Sequence, residues 1–229
     1  MIKIEKVDVY GFEAAIRGMR NPMNSWDKSD SYWTHIEDPE TLQTANFEFF
    51  VGENDLALMK KLSKAGSDHG KFLRFIDVTC DITAPLYWWK EHDQYKVGTT
   101  TNSCSTMHKI HAKEFTLDDF SHEHLSDEIV RVEFDDQDYL NTFMDGFCDL
   151  VDLLNSARKL YLETKNKKYW LQMIQLLPSS YNQKRTVKLN YQVLKNMYHA
   201  RKTHKLKEWR DFCAWAETLP YFKEICIEV

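Results

Sequence analysis

Residues 186–201 read TVKLNYQVLKNMYHAR, and the reading of this run governs the reading of the rest of the chain. The apolar spacing predicts a helix over 185–201. At about 100° per residue, Val187, Val193, Leu194, Met197 and Tyr198 gather on one stripe of that helix. Asn190 and Arg201 fall inside the stripe. Gln192 and Asn196 pair on its flank, while Lys188, Lys195 and His199 lie opposite, where solvent is expected. An arginine carried into a core without a partner costs several kcal/mol, so Arg201 must face a carboxylate, a phosphate or a water-filled site. An internal carboxylate from the 35 acidic residues, a frayed helix end and a ligand pocket each meet that demand.

A second polar run lies upstream. Residues 95–108, YKVGTTTNSCSTMH, follow APLYWW at 84–89, where Trp88 and Trp89 read as packing residues. A ribbon so rich in hydroxyls cannot build a core. It can cradle an anion, because successive backbone N–H and side-chain O–H groups all donate.

Around these two runs the elements fall into order. MIKIEKVDVY alternates apolar and polar residues as a half-buried strand does near 2–9. GFEAAIRGMRNPMNSW reads as a short helix ending in a turn. NDLALMKKLSKAG has helical spacing at Leu56, Met59 and Leu62, with Gly66 at the C-terminal cap. FLRFIDVTCDIT predicts a strand over 72–83, and Pro85 opens a short aromatic helix. DEIVRVEF predicts a further strand, and helices are expected at 137–163, 167–177, 185–201 and 205–218. Strands first and helices afterwards give an α+β fold, with an antiparallel or mixed sheet and a helical C-terminal half. With 7 Gly, 5 Pro and no linker-like tract, one domain across 1–229 is expected.

The net charge of −5 argues against a nucleic-acid partner, which would call for a basic surplus. The basic run RKTHKLKEWR at 201–210 reads as a solvated helix face. No stretch holds the ~20 apolar residues of a membrane span, and the first residues lack the apolar core of a signal peptide. Five cysteines without a C-x-x-C pair fit reduced thiols, so a cytoplasmic setting is expected.

The run 176–210, LLPSSYNQKRTVKLNYQVLKNMYHARKTHKLKEWR, resembles the C-terminal signature of the flavin-dependent thymidylate synthases, also called thymidylate synthase complementing proteins. Leu177–Pro178, Thr186–Val187, Asn190, Asn196 and Arg201 keep the family's order and spacing; His204 and EWR at 208–210 follow with one residue fewer between them. The ribbon is similar to the family's R-H-R-x-x-S-x-N-E-x-S-x-R motif when aligned on Asn102 and Ser105. SDHGKFLRFIDV is loosely similar to its P-F-E-H segment, with His69 at the histidine. The likeness covers roughly 54–110 and 169–212.

The resemblance implies a single thymidylate synthase complementing protein-like domain and reductive methylation of dUMP to dTMP. It implies FAD as cofactor, methylenetetrahydrofolate as one-carbon donor, NADPH as reductant and a homotetramer. It places cofactor contacts at His69, Lys96, Thr100, Asn102, Asn190, Gln192 and Asn196, and substrate contacts at Ser103, Ser105, Thr106 and Arg201, with no covalent nucleophile and no metal. The chain departs from the motif where the family carries phosphate-binding arginines: Tyr95, Lys96 and Val97 replace the R-H-R triplet, Met107 the final Arg, and Ile174 another. Anion binding must then use Lys96, Arg201, hydroxyls, or outside arginines such as Arg17 and Arg20. The departures leave room for two other readings, a flavoenzyme modifying a different pyrimidine nucleotide and a non-catalytic nucleotide-binding relative.

Two further groupings carry less. His108, His111, His122 and His124 form H-x-x-H and H-x-H pairs, neither of which completes a zinc site, so they read as surface histidines. Cys104 with His108 has the makings of a nucleophile and base, but a small, core-tolerant cysteine is the ordinary case.

Overall fold

A computed structural model of the chain describes residues 1–37, 44–134 and 137–229, and the fold is of the α+β class. Eight strands and seven helices are found among the described residues: β1 Lys3–Tyr10, α1 Phe12–Arg20, β2 Tyr32–Glu37, β3 Thr44–Phe50, α2 Glu53–Lys64, β4 Asp77–Pro85, α3 Leu86–His92, β5 Thr100–Ser103, β6 Ile129–Phe134, β7 Gln137–Thr142, α4 Phe143–Thr164, α5 Lys167–Leu176, β8 Asn182–Asn190, α6 Tyr191–Arg201 and α7 Lys207–Ala216. Four strands form one sheet in the order β1–β4–β8–β5, while β2–β3 and β6–β7 are antiparallel hairpins.

The chain divides into two compact units. One holds residues 1–3, 82–94 and 102–185; the other holds 4–81, 95–101 and 186–229. In the first, Phe115, Phe120, Val151, Leu154, Ala157 and Met173 close a core around α4 and α5. The helix α4 starts where the Thr142 hydroxyl accepts from the Asp145 amide at 2.9 Å. In the second, Met59, Phe72, Leu73, Leu194, Met197, Trp209 and Phe222 are buried. Tyr191 packs edge-on against Phe12 and Phe222 and donates its hydroxyl to the Pro220 carbonyl at 2.7 Å. Burial of rings of this size is among the largest single contributions to stability.

Three expectations are corrected. The strand expected from 72 begins at Asp77; Gly70–Arg74 is a tight 3-10 turn instead. Phe72, Leu73, Phe75 and Ile76 lack the two-residue period, which starts with buried Val78, Cys80, Ile82 and Ala84. Residues 137–142, expected as helix, form strand β7, because pairing with β6 satisfies its backbone. Residues 185–190 belong to strand β8, with Val187 and Leu189 buried and Lys188 outward. The C-terminal half is therefore helical but interrupted by strands. The β2–β3 hairpin was not anticipated.

Candidate functional site

The boundary at residue 190 changes the meaning of its neighbours. Asn190 is not a polar residue on a buried helical stripe. It caps α6, its Oδ1 accepting from the Val193 amide at 3.1 Å. Asparagine suits this place because its short side chain reaches an amide that has no partner in the first turn.

The start of the ribbon lies along α6 in the same unit. Gly98 has φ of +78°, and a Cβ there would stand 3.0 Å from Val193 Cγ2 and 3.1 Å from Asn190 Nδ2. Only glycine allows both that conformation and that approach. At the other end of α6, Arg201 is half-buried. Its Nε donates to the Tyr95 hydroxyl at 3.0 Å, and the guanidinium lies 5.7 Å from the Tyr95 ring centre and 4.8 Å from that of Trp209. Tyr95, which stands where the resemblance would place an arginine, thus orients the arginine that remains.

One turn of α6 presents Gln192 and Asn196 together, Gln192 Nε2 donating to Asn196 Oδ1 at 3.1 Å. Both line a cavity of about 220 Å³ with Ser63, Ser67, Gly70 and Lys195. Lys195, expected in solvent, is half-buried here and donates to Ser63 Oγ at 2.7 Å. Burial lowers its pKa from the ordinary lysine value. The serine hydroxyl in turn donates a hydrogen bond to the Ile225 carbonyl at 2.5 Å. The cavity therefore combines amide donors and acceptors, hydroxyls and one cation, a donor set suited to a polar, anionic group. Lys195 and Ser63 were missed because a wheel drawn on one helix shows no neighbours from α2.

Of the other expected residues in this unit, His69 is exposed directly before the Gly70–Arg74 turn, and Lys96 and Thr100 are exposed on the ribbon. In the other unit, Asn102 and Ser103 are exposed on β5 and Thr106 is half-buried. Cys104 is fastened through its backbone: its amide donates to the Lys184 carbonyl at 2.9 Å, and its carbonyl accepts from Gln183 Nε2 at 2.7 Å. Ser105 Oγ accepts from the amides of Met107 and His108 at 3.2 and 3.0 Å, and lies 3.0 Å from His108 Nδ1. That histidine faces the Ser105 hydroxyl, so the sequence pairing of Cys104 with His108 finds no support in this geometry. Of the outside arginines, Arg20 is buried against Asp55 at 2.6 Å, while Arg17 is exposed. Trp88 and Trp89 are fully buried. Among the described residues no three His, Cys, Asp or Glu side chains are grouped to hold a metal, and no helix is long and apolar enough to cross a membrane.

No family model and no curated protein matches the chain in sequence. Solved structures do match it in shape. A flavin-dependent thymidylate synthase ThyX from Helicobacter pylori, complexed with FAD and dUMP, superposes with a TM-score of 0.66 over 99% of this chain and 98% of its own, at 16% identity. A second structure of that enzyme with FAD and dUMP gives the same TM-score and identity and is covered over 97% of its length. A UMP/dUMP methylase PolB from Streptomyces cacaoi, bound with 5-Br dUMP, gives 0.58 over 98% of this chain and 94% of its own, at 15% identity. The chain has the fold of these enzymes along its whole length.

Proposed function

We infer that residues 1–229 form a flavin-dependent thymidylate synthase-like enzyme that methylates dUMP to dTMP, with FAD, NADPH and methylenetetrahydrofolate. The observation that carries this reading is the end-to-end likeness to enzymes holding FAD and dUMP, combined with an arginine and two asparagines kept at the family's spacing. Arg201 is the residue for the nucleotide's anionic group. Asn190, Gln192, Asn196 and Lys195 are the residues for FAD, with His69, Lys96, Thr100 and Asn102 supplying further polar contacts; Ser103, Ser105 and Thr106 serve the substrate.

The donor set fits such a cofactor. A half-buried Lys195 held by serine, beside paired amides, can offset negative charge there. FAD, once reduced by NADPH, would supply the electron pair that reduces the transferred carbon. The protein's own part is to bind, orient and exclude water. Tyr95 and Trp209 fix the Arg201 guanidinium before substrate arrives, which lowers the ordering cost of binding. A homotetramer and a cytoplasmic setting belong to the same proposal.

A second reading has its own support. The motif arginines are absent at Tyr95, Val97 and Met107, and one of the structures similar in fold is a UMP/dUMP methylase. On that reading a pyrimidine nucleotide other than dUMP is the substrate. Purified protein mixed with FAD and desalted tests both readings, since each expects retained visible flavin absorbance. Comparing dUMP with UMP as substrate then separates them. Protein that stays colourless points to a non-catalytic binding module.

A further inference from the structure

We propose that a cleft between α1 and the β2–β3 hairpin is a second ligand site, for a nucleoside monophosphate whose base stacks on exposed indoles and whose phosphate meets Arg17. The proposal does not rest on the reaction inferred above: none of the residues assigned to that reaction lines this cleft, and Arg17, one of the outside arginines considered for anion binding, is given to this site instead. The cleft measures about 590 Å³ and is lined by Glu13, Arg17, Asn21, Trp26, Trp33 and Phe49, among others. That volume lies in the range of ~300–1,000 Å³ usual for small-molecule sites.

Its walls are unusual for a protein surface. Trp26 is 51% exposed and Trp33 55% exposed, although indoles of this size normally bury most of their area. Neither ring is loose. Trp26 Nε1 donates to Asn21 Oδ1 at 2.8 Å, and Trp33 Nε1 donates to Glu13 Oε2 at 3.2 Å. Phe49 packs edge-on against Trp33, with ring centres 5.2 Å apart. The polar edges of both indoles are thus satisfied while much of each ring stays open, the arrangement that stacks a base without reading its identity.

The loop that carries Trp26 is held by a buried charge pair. Arg20 donates Nε to Asp55 Oδ1 at 2.6 Å and its other nitrogens to the carbonyls of Ser25 and Lys28 at 3.1 and 3.0 Å. Asp55 Oδ2 accepts from the hydroxyls of Ser29 and Ser31 at 2.6 and 2.7 Å. Asp30 in turn accepts from the amides of Asn54 and Asp55 at the start of α2. Gly52 makes room for it, since a Cβ there would stand 2.2 Å from Asp30 Cγ. Two serines, two aspartates and a glycine are thus committed to fixing one loop and its indole, which is how a pre-formed site is built.

Charge selects the ligand. Arg20 is neutralised by Asp55, so it supplies structure. Arg17, one helical turn before it, is exposed, and among the described residues it has no hydrogen-bond or ion-pair partner. A free guanidinium at the rim of an aromatic cleft matches a phosphate. Glu13, one turn before Arg17 on the same face of α1, carries the opposing charge beside Trp33, so the base's N–H donors meet Glu13 and the anion meets Arg17.

Calorimetric titration of AMP, GMP, CMP and UMP into the full chain tests this, with adenosine and inorganic phosphate as ring-only and anion-only controls. At least one nucleotide should bind, and more tightly than either control. Arg17→Gln should weaken that binding about tenfold, the range of one charge-assisted hydrogen bond. Trp33→Ala should weaken it about fivefold or more, as loss of one stacking partner does. Arg201→Gln should leave it unchanged, which separates this site from the proposed catalytic one. A thermal melt checks that each variant is folded, and Arg17→Gln alone decides the matter where Trp33→Ala does not fold. Absence of any nucleotide binding sensitive to Arg17 overturns the proposal. So does a variant that leaves binding intact while dispersing an oligomer in light scattering, because the cleft would then be covered by a second copy of the chain.

Discussion

The Arg201 guanidinium donates from Nε to the Tyr95 hydroxyl at 3.0 Å and lies 4.8 Å from the centre of the Trp209 ring. The hydroxyl and the two rings help hold the planar cation in one orientation. That is the preparation a phosphate site needs, because an arginine already fixed by neighbours loses less entropy when the anion arrives.

Arg201→Gln is therefore expected to weaken dUMP binding roughly ten- to a hundredfold, the equivalent of ~1.5–3 kcal/mol for a charge-assisted hydrogen bond. Flavin affinity should change little. Arg201→Lys should recover only part of the loss, since an ammonium cannot reproduce the flat, two-pronged donor. Titration of dUMP into each variant, beside a thermal melt, makes the distinction. A fall in melting temperature with unchanged dUMP affinity would show a purely structural arginine.

Both asparagines stand in the proposed FAD set, but they differ in structural cost. Asn190→Ala removes the cap of α6 and should cost about 1 kcal/mol of stability, with Asn190→Asp recovering most of it. Asn196 is exposed beside the cavity and caps nothing, so Asn196→Ala should lower FAD occupancy with little change in melting temperature. Unchanged flavin affinity in Asn196→Ala would remove that residue from the cofactor site.

His92 makes stability depend on pH. It is buried, packs at 5.1 Å against both Trp88 and Trp89, and among the described residues neither ring nitrogen has a hydrogen-bond partner. Burial lowers its pKa from 6.5 to about 4, with Asp93 opposing the shift and Arg185 adding to it. The unfolded chain then binds a proton that the folded chain refuses. The stability is complete above about pH 6.5 and is lost as pH falls toward 4, by ~3 kcal/mol on the scale of 1.36 kcal/mol per pKa unit. His92→Phe keeps an aromatic ring in place and should flatten denaturant midpoints between pH 6.5 and 4. An unchanged slope would assign the acid sensitivity to other groups.

Breaking the Arg20–Asp55 pair should be costly. Both side chains are almost wholly buried, and Arg20→Ala strands a carboxylate in the interior at a cost of about 3–5 kcal/mol. Urea melts check this. A loss below about 1 kcal/mol, the scale of an exposed pair, would mean that water reaches Asp55.

Much of this was legible in residue spacing. The alternation in DVTCDITAP gives β4 its one buried face, and Gly66 closes α2 where helical spacing stops. The start of α6 was harder to read, because Val187 fits both a two-residue and a 3.6-residue period. The deciding signal was Asn190, a good helix cap directly before an apolar run. Strand β7, QDYLNT, carries little apolar pattern, and only its pairing with β6 makes it a strand. The seating of Lys195 on Ser63 joins residues 132 positions apart, which no local period can show. The polar ribbon was recognisable as something other than core. What it rests on, Asn190 and Val193 beneath Gly98, appears only in three dimensions.

The most direct test of the central claim is mass-spectrometric detection of dTMP after incubating the purified chain with dUMP, FAD, NADPH and methylenetetrahydrofolate. The account predicts dTMP that disappears when FAD is omitted and falls sharply in Arg201→Gln at limiting dUMP. Unchanged dUMP in the complete mixture, with protein that has retained flavin, would contradict it.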